Sequence, residues 1–260
     1  ILLERADQDE APSGTFRFIR SCSSALAPSL LLDLESRFGA PVLEAYGMTE
    51  AAHQMTSNPL PPKQRVPGYV GPGTGVEVAI MNDEGVIQDS GITGAVVVRG
   101  KNVILGYEDN PEANSSSFTK GWFRTGDEGI IDTNGYLKLV GRIKELINRS
   151  GEKIAPQEID EVLLGHPAVA EAVCFGIPHD IHGEEPSAAV VLNEPVLPSE
   201  LVAHCKSRLA AFKCPRVIHI VQTIPKTATG KIQRRLVAQA IQSENEGSES
   251  SLPSGLEDNH

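Results

Sequence analysis

The sequence predicts a chain of mixed α/β and α+β class: the end of a doubly wound sheet, a small β-barrel and a mobile C-terminal α+β domain. Three observations favour this class. Strand, helix and strand patterns alternate over residues 16–50, short β-branched segments separated by glycine turns follow, and helices and strands alternate again beyond residue 145. A chain of 260 residues is long enough for at least two cooperative units.

Residues 1–62 are predicted to contribute the end of a parallel α/β sheet. The pattern F-R-F-I-R at 16–20 indicates a short strand, and Pro28 begins a helix whose apolar residues Leu30, Leu31 and Leu34 are expected to face inward. A second strand over 40–44 leads directly into Y-G-M-T-E at 46–50, which we expect to open a helix. A loop at the carboxyl end of a parallel strand is the usual ligand position in such a sheet.

Residues 63–140 are predicted to form the β-barrel. After a proline-rich link, three short β-branched segments are separated by N-D-E-G, S-G-I-T-G and D-T-N-G, which are typical turn sequences. These segments are 75–81, 95–99 and 136–140.

Residues 141–144 are a candidate hinge, and 145–241 are predicted to form the C-terminal α+β domain. Its expected helices are 156–164, 198–211 and 232–241, and its expected strands are 169–175, 187–192 and 217–221. Ser, Glu, Gly and Pro dominate residues 242–260, which predicts a disordered acidic tail.

Charge and cysteine content exclude several classes of protein. The 23 Lys and Arg against 34 Asp and Glu give a net charge of −11, so we expect no nucleic-acid partner. The four cysteines lack C-x-x-C spacing, which favours free thiols in a reducing compartment over a zinc or redox site. No apolar run approaches the ~20 residues of a membrane span. The final D-N-H is no S-K-L-type peroxisomal address, so a cytoplasmic location is expected; the oligomeric state stays open.

Four short motifs in a fixed order carry the chemistry. They are Y-G-M-T-E at 46–50, T-G-D at 125–127, G-R-I-K at 141–144 and P-K-T-A-T-G-K at 225–231. A loop lysine, and a carboxylate beside a hydroxyl, are groups that hold a nucleotide phosphate and its magnesium ion. Each motif alone is more typical of a helix start, a turn or a surface cation than of a nucleotide site. The last one is not a Walker loop, because G-x-x-x-x-G-K-[ST] is absent.

Taken together, the motifs resemble the adenylate-forming superfamily of acyl-CoA synthetases, luciferases and peptide-synthetase adenylation domains. The resemblance covers residues 14–241 and is most specific in G-R-I-K-E-L-I-N-R-S-G-E-K-I-A-P-Q-E-I at 141–159. Within the superfamily, L-E-A-Y-G-M-T-E-A-A-H and G-R-I-K-E-L-I-N are most similar to plant and fungal oxalate–CoA ligases. Malonyl-CoA synthetases are the next nearest group.

The resemblance implies which residues handle the nucleotide. Those expected around the adenine and the acyl-adenylate are Tyr46, Gly47, Met48, Ser23, Ser24 and Ala25. Thr49 is expected to contact the α-phosphate, and Glu50 to hold magnesium. Asp127 is expected to hold the ribose hydroxyls, and Arg142 to bind the nucleotide.

The resemblance also implies how the C-terminal domain serves two half-reactions. Lys231 is expected to bind the carboxylate and the α-phosphate during adenylation. Gly151 is expected to lie along the path by which the pantetheine of coenzyme A enters, and Lys144 to be the hinge. The implied cofactors and substrates are ATP, Mg²⁺, coenzyme A and a small carboxylic acid.

His53 and Gly47 are the candidates for recognising the acid. If a helix follows Glu50, His53 lies one turn further on and can donate to the second carboxylate of a dicarboxylate. The alternative is an ordinary surface or core histidine.

The chain departs from complete family members in one respect. They carry a phosphate loop of S-G-T-T-G-x-P-K type upstream, and this chain has none. We therefore expect the C-terminal half of an enzyme about twice as long, without ligase activity by itself. Oxalate is the expected acid. The alternatives are malonate or another small or medium acid, a domain that loads a carrier protein, and a non-catalytic fragment.

Overall fold

The computed structural model describes residues 16–22, 26–227 and 231–249. By its contacts the chain divides into two compact units, Ile1–Lys144 and Glu145–His260. Within the described ranges, the structure contains no helix with the length and apolar character needed to cross a membrane.

The first unit opens with a strand, a helix and a strand, as predicted. Their bounds are Ile19–Ser21 (β1), Pro28–Phe38 (α1) and Val42–Tyr46 (β2). The two strands pair in parallel, and Thr56–Ser57 (β3) pairs antiparallel with β2. Leu31 and Leu34 of α1 are buried, but Leu30 is 40% exposed, so the prediction that all three face inward was wrong for Leu30. Leu30 and Leu31 both lie within one turn of Leu34 but about 100° apart around the helix, and the core lies on the side of Leu31.

The second sheet of the first unit is antiparallel and curls into a half-barrel. Its strands are Glu77–Met81 (β4), Thr93–Arg99 (β5), Phe118–Thr119 (β6), Trp122–Ile131 (β7) and Leu137–Arg142 (β8), with the helix Pro111–Ser117 (α2) before β6. The order is β4-β5-β7-β6, with β8 also on β7. β7 was not predicted, because T-G-D reads as a turn. It is a strand whose buried positions alternate, and two of them, Thr125 and Asp127, are polar.

The second unit is an α+β fold. Its strands are Ile147–Arg149 (β9), Glu152–Ile154 (β10), Val169–His179 (β11), Gly183–Leu192 (β12) and Val217–Ile220 (β13), and its helices are Pro156–Leu164 (α3), Pro198–Lys206 (α4) and Arg234–Glu249 (α5). The sheet order is β10-β9-β12-β11, with β13 also on β12.

The alternating side chains of β11 build two cores, one on each face of this sheet. Cys174 packs in the core that contains Ile159 of α3 and Leu201 of α4. Val173 packs in the other core, with Val237 of α5. The mixed α/β and α+β class predicted from the sequence is confirmed.

Three details of the second unit differ from prediction. The β9–β10 hairpin was not expected. The helix α4 ends at Lys206 instead of 211, because the chain turns after Cys205, whose carbonyl oxygen accepts from the backbone N–H groups of both Arg208 and Leu209. α5 continues to Glu249 into the segment predicted to be disordered. The loss of apolar periodicity after Ile241 marks the end of its packing, whereas polar residues can continue a helix that is already formed. All four cysteines are free thiols, and Cys174 and Cys205 are buried.

Candidate active site

The Y-G-M-T-E motif forms a tight chain reversal at the end of β2. Thr49–Ala51 make a single 3₁₀ turn, after which Ala52 and His53 adopt left-handed conformations with φ of 51° and 57°. The expected helix is therefore absent, and His53 does not lie one helical turn beyond Glu50. The chain reverses because β3 must pair with β2, and Met55 already donates its N–H to Tyr46 at 3.0 Å.

Gly47 is required by this reversal. A Cβ atom on Gly47 would lie 2.3 Å from the carbonyl oxygen of His53, so no larger residue fits without a backbone shift. The loop is also fastened from outside: the Asn102 side-chain amide donates to the carbonyls of Ala51, at 2.8 Å, and Gln54, at 2.9 Å. The side chains of Thr49 and His53 are exposed, so both are available to a ligand.

Tyr46, Asp127 and Arg142 form a hydrogen-bonded cluster. The Tyr46 hydroxyl donates to Asp127 Oδ2, and Arg142 Nε lies 2.9 Å from Asp127 Oδ1. Asp127 and Arg142 are directly opposite each other on β7 and β8, and Asp127 is only 7% exposed. The Asp127 backbone N–H donates to Thr125 Oγ1 at 3.1 Å, which fixes this part of β7. The structure thus brings together residues from three of the predicted motifs.

The electrostatics of the cluster follow from burial. Burial, and then the charge of Asp127, raise the pKa of Tyr46 well above its usual range, so this hydroxyl stays protonated and donates. An ionised carboxylate offers about four acceptor sites, so a group of this kind can accept hydrogen bonds from a diol. Half of the Arg142 side chain is exposed, which leaves guanidinium N–H groups available to an anion.

Glu50 is held by a segment that sequence reasoning missed. Its carbonyl oxygen accepts from Ile104 N–H at 2.8 Å, and its carboxylate Oε1 accepts from the Tyr107 hydroxyl at 3.0 Å. The sequence of this segment, N-V-I-L-G-Y at 102–107, contains no recognisable catalytic motif, so the sequence alone did not indicate a role for it. Glu50 is half-buried and offers a hard oxygen donor, the ligand type that magnesium prefers. One carboxylate plus substrate phosphates is a common magnesium environment, so this donor fits that ion.

Three further predicted residues lie on separate elements, two in the second unit and one at the end of the first. Lys231 is exposed just before α5, and its backbone pairs with Thr227: Thr227 N–H donates to Lys231 O at 2.8 Å. Gly151 follows Ser150 in the two-residue turn between β9 and β10, with φ of 89° and 52°. Lys144 is exposed within the 3₁₀ turn Ile143–Glu145, at the end of the first unit.

Arg234 anchors the segment that follows Lys231. Its guanidinium is 2.9 Å from Asp160 Oδ2 in α3 and 3.0 Å from Glu145 Oε2, and it also donates to the Cys174 carbonyl oxygen. The predicted residues Ser23, Ser24 and Ala25 lie outside the described part of the chain.

Two family profiles match the chain. The profile of the AMP-binding enzymes matches residues 2–108, and the profile of the AMP-binding enzyme C-terminal domain matches residues 158–231. Together they account for most of the chain.

Two curated proteins and one solved structure are similar to most of this chain. The oxalate–CoA ligase of Arabidopsis thaliana is 55% identical over 243 residues, covering 92% of this chain and 47% of that protein. The oxalate–CoA ligase of Saccharomyces cerevisiae is 55% identical over 234 residues, covering 88% of this chain and 43% of that protein. A solved structure of o-succinylbenzoate coenzyme A synthetase from Bacillus subtilis, in complex with ATP and magnesium ion, superposes on the chain with a TM-score of 0.80. The two sequences are 34% identical, and the match covers 90% of this chain and 48% of that chain. The chain spans about half the length of the curated relatives it matches.

Proposed function

Because the chain belongs to the family of AMP-binding enzymes, we propose that it supplies the C-terminal half of an AMP-forming acid–CoA ligase whose acid is oxalate. Here the full-length enzyme means this chain preceded by an N-terminal half like that of its relatives. The acid is proposed from the 55% identity to two proteins named oxalate–CoA ligase. The observation that carries the adenylate chemistry is the Tyr46–Asp127–Arg142 cluster, close in sequence to the exposed Thr49 and half-buried Glu50.

The first unit is proposed to bind the nucleotide. The aromatic ring of Tyr46 stacks on adenine, Asp127 accepts from the ribose hydroxyls, and Arg142 binds the nucleotide through its exposed N–H groups. Thr49 donates to the α-phosphate. Glu50 supplies a carboxylate ligand for magnesium, which when bound neutralises phosphate charge.

Two half-reactions follow. In the first, an oxygen of the acid attacks the α-phosphorus of ATP, the bond to pyrophosphate breaks, and the acyl-adenylate forms. Lys231 stabilises the negative charge that accumulates on the phosphoryl oxygens. In the second, the thiolate of coenzyme A attacks the acyl carbon and AMP leaves. Gly151, without a side chain, leaves room for the pantetheine arm.

We propose that Lys144 is the hinge that selects between these steps. A change in its backbone angles alters which of Lys231 and Gly151 serves the reacting centre. His53 is proposed to donate to the distal carboxylate of oxalate. Its exposed side chain supports this role, because an exposed imidazole can donate a hydrogen bond to a ligand.

Product analysis tests the proposed function. The full-length enzyme, supplied with oxalate, ATP, Mg²⁺ and coenzyme A, should release AMP and pyrophosphate and form an oxalyl thioester in equal amounts. Malonate and acetate serve as comparison acids. Release of ADP and phosphate, or equal kcat/KM for acetate and oxalate, would contradict the proposal.

A further inference from the structure

Tyr107 is a partly buried tyrosine whose hydroxyl reaches a carboxylate instead of solvent. Its ring packs in an apolar cluster with Phe123, at 6.5 Å between ring centroids. The side-chain amide of Asn114 holds the Tyr107 backbone at two points: Tyr107 N–H donates to Asn114 Oδ1 at 2.6 Å, and Asn114 Nδ2 donates to Tyr107 O at 2.9 Å. A side chain with a packed ring and a clamped backbone holds its hydroxyl in one place.

The partner of this hydroxyl is Glu50. Tyr107 Oη donates to Glu50 Oε1 at 3.0 Å, across 57 positions of sequence. Ile104 N–H also donates to Glu50 O at 2.8 Å, and Asn102 Nδ2 donates to Ala51 O at 2.8 Å and to Gln54 O at 2.9 Å. Four hydrogen bonds therefore fix the Glu50 loop to the Tyr107 segment.

The contact distinguishes the two oxygens of Glu50. Of the residues that the structure describes, only Tyr107 donates a side-chain hydrogen bond to this carboxylate, and it does so at Oε1. A carboxylate held at one oxygen loses rotation about its last side-chain bond and presents its other oxygen in a defined direction.

We infer that Tyr107 is a positioning residue: it fixes the Glu50 carboxylate through Oε1 so that Oε2 is directed to a divalent cation on the nucleotide. This inference rests on the proposed metal role of Glu50. In this role Tyr107 acts only through Glu50. A purely structural tyrosine in the same place would contribute to stability and leave metal affinity unchanged.

The test measures metal affinity directly. Mn²⁺ serves as the probe, because its free aquo ion gives an electron paramagnetic resonance signal that is lost on binding. The full-length enzyme is saturated with a non-hydrolysable ATP analogue, and Mn²⁺ is titrated into wild type, Tyr107→Phe, Glu50→Gln and the double variant. Tyr136→Phe is the matched control, since its hydroxyl also donates one hydrogen bond, to Gln64 O at 2.7 Å.

Outer-shell partners of a metal ligand are typically worth about 10- to 100-fold in metal affinity. Tyr107→Phe should therefore weaken Mn²⁺ binding about tenfold or more, while Tyr136→Phe changes it less than about twofold. The double variant should match Glu50→Gln, because Tyr107 has no effect without its carboxylate partner.

Two results would overturn the inference, and they have different meanings. If Glu50→Gln weakens Mn²⁺ binding but Tyr107→Phe does not, or if the two losses add in the double variant, Tyr107 does not act through Glu50, and the proposed function is unaffected. If Glu50→Gln leaves Mn²⁺ affinity unchanged, the metal role of Glu50 is wrong, and the role of Tyr107 fails with it.

Discussion

Replacing Gly151 by leucine should separate the two half-reactions. Gly151 occupies the turn between β9 and β10 with φ of 89°, where an L-residue is strained by about 1–2 kcal/mol. Among the described residues, no atom beyond the chain neighbours lies within 4 Å of the position that its Cβ would take, so the Cβ atom itself meets no steric clash. The side chain would instead extend into solvent, where the proposed pantetheine path runs.

The two expected effects differ in size. Backbone strain of about 1–2 kcal/mol is a small part of a typical stability of about 5–15 kcal/mol, so nearly all of the enzyme stays folded at assay temperature. Misplacing a reacting group by about 1 Å can lower a rate about 100-fold. A large loss that is confined to the thioester step therefore cannot arise from strain.

Gly135→Leu is the matched control. Gly135 lies in the turn before β8 with φ of 81°, and its Cβ position is likewise open, with no atom of the described residues beyond its chain neighbours within 4 Å. Both variants should show a similar small drop in melting temperature. Only Gly151→Leu should lower CoA-ester formation about 100-fold, and it should leave oxalate-dependent pyrophosphate exchange intact. If exchange falls together with ester formation, or if Gly135→Leu gives the same kinetic loss, Gly151 serves only the turn.

Three further predictions follow from individual residues. Lys144→Pro fixes one backbone angle at the proposed hinge, so one half-reaction should survive and the other be lost; unchanged overall turnover would place the hinge elsewhere. His53→Ala should lower kcat/KM for oxalate about 10- to 100-fold and spare acetate, as expected for a hydrogen bond to a charge. Asparagine tolerates the left-handed backbone at this position, and His53→Asn should lose the same selectivity. A uniform drop for all acids would contradict this role of His53. Burial lowers the pKa of His204, whose Nε2 lies 2.9 Å from the Val162 carbonyl oxygen. The unfolded chain then binds the proton more readily, so urea stability of the chain should fall as pH drops below about 6.5, and His204→Gln should reduce that slope; an unchanged slope would be evidence against it.

Local sequence rules predicted the elements that depend on neighbouring residues. The helix at 156–164 was correct to the residue, because Pro156 defines its first turn and Ile159 and Leu163 share one buried face. The helix expected after Y-G-M-T-E was wrong, because the pairing of β3 with β2 overrides local preference. β7 was missed for a related reason: its strand conformation is fixed by pairing with β5 and β8 on either side.

The same distinction applies to the candidate site, where local motifs identified some residues and contacts between distant parts of the chain supplied the others. Asp127 and Arg142 were predicted from their motifs, but the hydrogen bond from Tyr46 to Asp127 joins residues 81 positions apart, and no local pattern specifies it. Tyr107 carries no motif at all, and only the folded chain brings it to Glu50. Sequence reasoning therefore found residues with recognisable chemistry and missed the residues that hold them.

The most direct test of the account is a comparison of both half-reactions in Lys231→Ala. The charge of Lys231 is proposed to act only while the phosphorus centre reacts, and removing one electrostatic stabiliser typically costs about 100- to 1000-fold. In the full-length enzyme we expect oxalate-dependent pyrophosphate exchange to fall by at least this factor. Thioester formation from a supplied acyl-adenylate and coenzyme A should stay within about threefold of wild type, against an expected loss of about 100-fold or more in exchange. Equal losses in the two half-reactions would contradict the division of labour between Lys231 and Gly151.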